Sequence, residues 1–428
     1  MISHEPTVPL APRAGWRGLV LICGLWVGGA SAARAGDVDA AVFDRVWTLV
    51  RDHFYDRELH GVDWEAMREH YRPLYLAAEE PGAGREVLQK MLAELKASHT
   101  SVLATPVYRS MMAELQNDPA PTFGLLLEES LPGRLFVRSM FEGGPAAVAG
   151  CRLGERVVAV NGTEPMSSVA VVDAGFDPAL PGPRLFSIVA RTSGSRVRLT
   201  LQSDPCGERT REVELVAESM TGVDATRRGA RVVSHDGVRI GVVHVWYCQE
   251  GAVDAVREAL TGKLADCDAL ILDLRGRGGM TDVAAGLLDL FRGAKKRMVG
   301  PARQPPLWNK PVVALIDGRT RSAKELMAYR LRKARLATLV GERTEGAVLG
   351  AVFHALPDGA FLELASTDVP IDGDRLEGVG VEPDVPVDFP VAYANGVDSI
   401  FERGKQLAAE RVNERRRHKA PAGAKGPL

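Results

Sequence analysis

The chain has 428 residues, of which 46% are hydrophobic and 25% are charged, and its formal net charge is -2 at pH 7. This length predicts two or three domains, each large enough for its own core. The near-zero net charge, with no basic stripe that has interleaved aromatic residues, argues against a nucleic-acid-binding protein.

The first 35 residues have the pattern of a secretory signal. Arg13 and Arg17 precede the apolar stretch 18–30, and Ala30-Ser-Ala32 and Ala33-Arg-Ala35 offer small-residue cleavage sites. The alternative is an uncleaved membrane anchor, but the apolar stretch is shorter than the roughly 18–20 residues that a span needs. We therefore expect a signal peptide at 1–35 and export, to a bacterial periplasm, without a stable membrane span.

The cysteines that follow the signal are Cys151, Cys206, Cys248 and Cys267. Four cysteines in so long a chain do not form a disulfide framework, and none has CxxC or metal-ligand spacing. We expect mostly free, buried thiols.

Residues 36–117 are predicted to form an N-terminal helical region. Phe43, Val46, Trp47, Val50 and Phe54 fall on one apolar stripe at helical spacing. The region ends in the small polar cluster 97–101, which contains Ser98 and His99. By itself, His99 is most simply an ordinary loop histidine.

Residues 118–218 are predicted to form a separate β unit that resembles a PDZ domain. The resemblance rests on three segments: Phe123-Gly-Leu125, 143–150 with its Gly-Pro-Ala-Ala motif, and Leu153-Gly-Glu-Arg-Val-Val-Ala-Val-Asn-Gly162. It implies that the backbone of Phe123, Gly124 and Leu125 captures the carboxylate of a peptide C-terminus while the peptide adds a strand. The alternative is a small β domain that only packs against its neighbours.

Residues 219–395 alternate apolar strands with helical segments. Strands are predicted at 240–246, 269–274, 312–316 and 338–340, with helices between them, which is typical of βαβ units and a mostly parallel sheet. A hairpin is predicted around Pro357-Asp-Gly359. Residues 396–428 are predicted to form a C-terminal helix followed by a basic tail.

Ser322 lies between the apolar run Pro311–Ile316 and a helical pattern. An exposed hydroxyl and free backbone N–H groups can meet at such a strand-to-helix turn, which suggests nucleophilic attack with an oxyanion held at the helix N-terminus. The simpler alternative is that Ser322-x-x-Glu325 is a capping box, in which the serine only caps the helix.

The strand at 269–274 leads into a glycine-rich turn, Arg275-Gly-Arg-Gly-Gly-Met280. The phosphate-binding pattern GxxxxGK[ST] is absent from the turn, and GxGxxG is not met. A Gly-Gly turn also lets a substrate carbonyl approach bare amides. Gly278 or Gly279, together with Ala323, would then make a two-donor oxyanion hole.

Three segments together carry a family resemblance: Leu272–Gly279, Arg321–Glu325 followed by Ala337–Glu342, and Gly378–Asp384. In this order they resemble the C-terminal processing (tail-specific) serine peptidases. The resemblance implies an α/β fold with a crotonase-like ββα catalytic core, an N-terminal helical region and an inserted PDZ-like β domain. It also implies that Ser322 is the nucleophile and that no metal or organic cofactor is needed.

The best-known branch of this family pairs its serine with a lysine, and the matching position here is Ala347. Lys324, two residues after Ser322 on the helix, is predicted to point elsewhere. The branch that includes the tricorn core peptidases uses serine, histidine and glutamate, and Ser98-His99 and Glu377 match it. The resemblance implies that His99 is the general base, that Glu377 orients it, and that Ser98 adds a hydrogen bond.

Two hypotheses follow from the sequence. The first is an exported serine endopeptidase whose protein substrates are selected by their C-terminal tails through the PDZ-like domain. The second is an inactive pseudopeptidase that binds protein C-termini, which the missing lysine, the bulk of Arg321 and Met280 in place of a third glycine would favour. The oligomeric state is left open.

Overall fold

The computed structural model describes residues 38–174, 183–206, 209–293, 305–368 and 370–419. The signal peptide predicted at 1–35 lies outside these residues, as does the end of the basic tail. In the described ranges, no helix is long and apolar enough to cross a membrane.

The N-terminal region is helical, as predicted. Its elements are α1 (Ala40–His53), α2 (Trp64–Leu76), α3 (Pro81–Ala93), β1 (Ser101–Leu103) and α4 (Thr105–Leu115). The predicted stripe from Phe43 to Phe54 is buried throughout. The Asp39 carboxylate caps α1 by accepting from the Ala41 N–H at 2.9 Å, a contact worth about 1 kcal/mol.

The middle of the chain forms an antiparallel β domain. Its elements are β2 (Ala120–Thr122), β3 (Leu125–Leu131), β4 (Arg134–Met140), α5 (Pro145–Val148), β5 (Arg156–Val160), β6 (Val171–Asp173), β7 (Leu185–Ile188), β8 (Arg196–Gln202), β9 (Thr210–Val216) and β10 (Glu218–Met220). Seven strands make one sheet in the order β6-β7-β3-β4-β5-β8-β9, and β2 pairs with β10. Strand β3 therefore has a partner on both sides.

The core is an α/β unit, as expected. Its elements are α6 (Gly222–Gly229), β11 (Arg231–His235), β12 (Val238–His244), α7 (Ala252–Thr261), β13 (Ala269–Asp273), α8 (Thr281–Arg292), β14 (Val312–Ile316), α9 (Ala323–Lys333), β15 (Thr338–Gly341), β16 (Gly350–Ala355), β17 (Phe361–Thr367), β18 (Val385–Pro386) and α10 (Ser399–Lys419). The main sheet has the order β11-β12-β13-β14-β15-β18, and only its β11–β12 pair is antiparallel.

Helices cover both faces of this sheet. Leu270 and Leu272 of β13 pack with α7, α8 and α9, while Ile271, between them, packs with α10. Alternate residues of a strand point to opposite faces, so a continuous apolar strand needs a cover on each side. Because the core strands are buried on both faces, their nearly continuous apolar residues allowed them to be predicted from the sequence.

Two pairings position the site. Strands β13 and β14 are parallel neighbours, so the glycine-rich turn and the Ser322 turn emerge side by side from their carboxyl ends. The predicted hairpin forms from β16 and β17, and β1 adds to it with Ser101 opposite Glu363. That pairing brings the Ser98-His99 segment, far away in sequence, against the core.

All four cysteines in the described residues are free thiols, and three are buried. This agrees with the expectation of mostly free, buried thiols; the exposed one, Cys206, lies in the turn between β8 and β9.

Candidate active site

Ser322 is the residue immediately before α9, and its backbone is unusual. Its φ of 53° and ψ of -126° lie in a region that non-glycine residues rarely adopt. Its N–H group donates to the Ala347 carbonyl oxygen at 2.9 Å and to Glu325 Oε2 at 3.1 Å. Strained turns of this kind persist where the surroundings fix them, and they present a side chain outward from a strand-to-helix corner.

Glu325 anchors this turn from a fully buried position. Besides the Ser322 N–H, its carboxylate accepts the Thr344 hydroxyl at 2.5 Å and the N–H groups of Gly346 and Ala347 at 2.7 and 2.8 Å. Burial raises the pKa of Glu325, while these hydrogen bonds favour its charged form. The glutamate half of the capping box is therefore present, while the Glu325 N–H donates to the Ser322 backbone carbonyl oxygen at 2.9 Å. Glu325 also ties the start of α9 to the loop 344–347.

Ser98, His99 and Glu377 lie together in one hydrogen-bonded chain. His99 Nδ1 and Ser98 Oγ are 2.9 Å apart, and Ser98 Oγ donates to Glu377 Oε2 at 3.0 Å. Glu377 also accepts the Ser98 N–H at 3.0 Å and the Val348 N–H at 2.8 Å. The glutamate therefore reaches the imidazole through the Ser98 hydroxyl.

This chain of hydrogen bonds selects one form of the imidazole. The Ser98 hydroxyl has one proton, which it gives to Glu377, so it accepts from His99 Nδ1. The neutral His99 then carries its proton on Nδ1 and leaves Nε2 with a free lone pair. Burial, together with the positive charge of Arg321, lowers the pKa of His99 well below its ordinary value. His99 is therefore a neutral acceptor at physiological pH.

The loop 344–348 joins the relay to the serine turn. Ala347 accepts from the Ser322 N–H, and the next residue, Val348, donates to Glu377. Arg321, which precedes Ser322, lies near enough to His99 to lower its pKa, and its guanidinium is 3.6 Å from Glu345. Within the described ranges, no hydrogen bond joins the Ser322 hydroxyl to the His99 ring.

The glycine-rich turn packs directly on the serine. A Cβ on Gly278 would lie 2.6 Å from Ser322 Cβ and 3.2 Å from the Ala323 nitrogen, so only glycine allows this approach. The Gly278 carbonyl accepts from the Cys248 N–H at 2.8 Å, and Met280 donates to Cys248 at 2.7 Å. The C=O of Gly278 and the N–H of Gly279 belong to one trans peptide and point in opposite directions, so the Gly279 N–H points away from Cys248. Within the described ranges, neither Gly279 N–H nor Ala323 N–H donates to a protein acceptor.

The departures noted in the sequence fit this geometry. Met280 has an ordinary extended backbone, with φ -77° and ψ 134°, so a third glycine is not required there. Lys324 points away from Ser322, and its Nζ donates to the carbonyl oxygens of Trp246 and Arg275.

The residues predicted to capture a peptide carboxylate lie at the start of β3. Phe123 is buried, and Gly124 has the positive φ of 62° that such a loop uses. The Gly124 N–H donates to the Thr122 hydroxyl at 2.9 Å. On the side of β3 that faces away from β4, Leu126 and Leu127 are paired antiparallel with Ser187 and Phe186 of β7. The position of an added peptide strand is occupied by the chain itself.

Sequence reasoning missed Asp317, which directly follows β14 and connects both turns. One carboxylate oxygen accepts the N–H groups of Gly276 and Arg319 at 3.2 and 3.1 Å, and the other accepts Arg138 of the β domain at 2.7 Å. Although burial opposes its charge, Arg138 and Arg275 hold the pKa of Asp317 below its usual value. An acidic residue directly after a buried strand was the only signal in the sequence.

A cavity of about 490 Å³ opens beside the relay, with Ser98, Glu377, Gly318, Glu345 and Lys96 in its wall. The described ranges contain no group of three or more His, Cys, Asp or Glu side chains arranged to hold a metal ion.

Comparisons with known proteins bear on the core and on the N-terminal helices. Residues 239–387 match peptidase family S41, and residues 40–93 match the tricorn protease C1 domain. Two tricorn protease homologues of Streptomyces coelicolor are 28% and 26% identical over 86% and 87% of the chain. The chain spans only 32% and 35% of the length of these two relatives.

The chain is also similar to a relative of comparable length. A carboxyl-terminal-processing protease of Picosynechococcus is 24% identical over 89% of this chain and 91% of that protein. Among solved structures, the tricorn protease matches 87% of the chain and 37% of its own length with a TM-score of 0.54 at 17% identity. Mature CPAF in complex with lactacystin matches 88% of the chain and 99% of its own length with a TM-score of 0.53 at 14% identity. These structures share the fold of the chain, and its core, residues 239–387, is similar to peptidase family S41.

Proposed function

We propose that this protein is an exported serine endopeptidase in which Ser322 is the nucleophile and His99 is the general base. Ser98 and Glu377 orient the imidazole. The observation that carries the proposal is the hydrogen-bonded chain from Glu377 through the Ser98 hydroxyl to His99 Nδ1, which leaves Nε2 free to accept a proton. The strained Ser322 turn and the bare amides beside it add support.

In the first step, Ser322 Oγ bonds to the carbonyl carbon of the substrate and its proton passes to His99 Nε2. The imidazolium that forms donates from Nδ1 to Ser98, whose hydroxyl is held by the Glu377 carboxylate, so positive charge on the ring is stabilised. The negative oxygen of the tetrahedral intermediate accepts from Ala323 N–H and from Gly279 N–H, with Gly278 as its neighbour in the same turn. His99 then gives its proton to the leaving amine, and water releases the acyl group by the same steps.

The pH dependence of activity tests His99 as the base. Because the pKa of His99 is lowered, the neutral form persists well below pH 6.5, and we expect the acid limb of kcat/KM there. Arg321→Met removes a nearby positive charge, so the limb should move to higher pH. Arg321→Lys keeps the charge and should leave the limb close to its original position. Profiles of kcat/KM against pH for the three proteins measure this.

An acid limb that is the same in all three proteins would contradict the assignment of His99. A protein that cleaves no peptide at any pH, yet still binds C-terminal peptides, would favour the pseudopeptidase hypothesis instead.

We also propose that substrates are selected by their C-terminal tails at Phe123, Gly124 and Leu125. Because β7 already pairs with β3, a tail can add to β3 only where β7 gives way. Glu129→Pro removes the N–H group that β3 donates to the Arg184 carbonyl oxygen at 2.9 Å and so weakens that pairing. We expect it to lower KM for substrates with a free C-terminal carboxylate and to leave KM for amidated substrates unchanged.

The matched control for this prediction is Glu129→Ala, which removes the side chain and keeps the backbone N–H group. Steady-state kinetics on paired free-acid and amidated peptides give the comparison. Equal KM values for both peptides in every variant would contradict selection by the tail.

The proposal of export rests on the signal-like segment 1–35. Protease protection of the protein in intact cells, compared with its exposure after the outer membrane is opened, tests this part.

A further inference from the structure

Lys324 is a fully buried lysine two residues after the proposed nucleophile. Its Nζ donates to the Trp246 carbonyl oxygen at 3.0 Å and to the Arg275 carbonyl oxygen at 2.9 Å. None of the ion pairs in the described ranges includes it. A buried charge without a carboxylate partner is costly, and a cation near the start of a helix is further disfavoured by the helix dipole. Such a residue needs a reason beyond packing.

The two carbonyl groups belong to the segments that form the wall of the proposed oxyanion hole. Trp246 lies two residues before Cys248, which donates to the Gly278 carbonyl. Arg275 begins the turn that contains Gly278 and Gly279. Lys324 itself lies one residue after Ala323. One ammonium group therefore connects α9, which begins directly after Ser322, to the segments of Trp246 and Arg275 that hold the Gly278–Gly279 peptide.

We propose that Lys324 is a positioning residue that holds the Gly279 amide at the distance from Ser322 that oxyanion binding requires. This inference rests on the proposed function, since it assigns a role within the same oxyanion hole. The charge strengthens both hydrogen bonds, because a charged donor makes bonds roughly twice as strong as a neutral one.

Burial lowers the pKa of Lys324 to about 8. The charged or titratable groups that face it are Cys248, Asp273, Asp317 and Glu114, and each of them favours its positive form. As Nζ loses its proton above pH 8, the two bonds lose their charge and should hold the turn less firmly. We therefore expect kcat to decline on the alkaline side of about pH 8.

Unfolding does not produce the same decline. Because the pKa of Lys324 is lower in the folded protein than its ordinary 10.5, the unfolded chain binds more protons between about pH 8 and 10.5. The contribution of Lys324 to stability therefore increases with pH in that window. A fall in kcat there reports on the site.

The test compares Lys324→Met with Lys333→Met, which removes an exposed lysine from the same helix. Peptide hydrolysis is measured against pH, and thermal unfolding checks the fold. We expect Lys324→Met to lower kcat about 10–100-fold, to change KM by no more than about 2-fold, and to lose the alkaline decline. Lys333→Met should keep the original kcat and profile.

Unchanged kcat in Lys324→Met, or an alkaline decline that persists in it, would overturn the inference. If Lys324→Met does not fold, Lys324→Gln, which keeps a neutral donor, replaces it; if neither folds, a wild-type kcat that is flat from pH 8 to 9.5 overturns the inference. Failure of the proposed function looks different, because the wild-type enzyme itself would then show no Ser322-dependent hydrolysis.

Discussion

Replacing Ser322 with alanine is expected to lower kcat/KM for peptide hydrolysis by about 10⁴-fold or more. The substitution removes the only atom that would form the acyl bond, while the relay and the bare amides remain. Glu325 holds the turn through backbone groups, which alanine keeps. The fold should therefore be retained, and initial rates on a peptide substrate with circular dichroism as a check measure the effect.

The matched control is Ser167→Ala, which removes an exposed serine hydroxyl in the β domain. It should hydrolyse peptides at the wild-type rate. A Ser322→Ala protein that is folded and retains a substantial fraction of wild-type activity would show that another residue is the nucleophile.

Replacing His99 with alanine is expected to lower kcat by about 10⁴-fold with little change in KM, because it removes the proposed acceptor of the Ser322 proton. Ser98→Ala keeps the imidazole but removes the hydroxyl that connects it to Glu377. We expect a smaller loss for that variant, about 10²-fold. Single-turnover rates at pH 7 measure both.

The double variant sharpens this prediction. Residues that act as one unit are not additive, so Ser98→Ala in the His99→Ala background should cause almost no further loss. Full additivity of the two losses would mean that Ser98 does not act through the imidazole. A larger loss in Ser98→Ala than in His99→Ala would contradict His99 as the base.

The local pattern of the chain predicted the elements that carry the site. The apolar run before Ser322 became β14, the helical pattern after it became α9, and the glycine-rich segment became the turn beside them. These features are readable because burial on both faces and helix capping leave local signatures.

The relay was harder to predict because its members are distant in sequence. Ser98 and Glu377 are 279 residues apart, and they meet only because β1 pairs with β17 in one register. The family resemblance suggested both residues, but the position of the Ser98 hydroxyl between His99 and Glu377 follows only from coordinates. A one-residue slip of β1 would point its side chains to the other face.

Two other features had no usable signal. Because lysines are rarely buried, the sequence would predict an exposed Lys324. The structure instead shows a buried side chain whose Nζ donates to two carbonyl oxygens. The pairing of β7 with β3 was also not predicted, because the segment 165–190 has no strong periodicity. A PDZ-like motif marks the loop before β3, but it does not say which strand covers the edge.

The most direct test of the central claim is covalent labelling with a fluorophosphonate probe, followed by mass spectrometry of the labelled peptide. We expect the probe to modify Ser322 in the wild-type protein, to leave Ser322→Ala unlabelled, and to react far more slowly with His99→Ala. Labelling that persists in Ser322→Ala, or that proceeds at the wild-type rate in His99→Ala, would contradict the assignment of Ser322 as nucleophile and His99 as base.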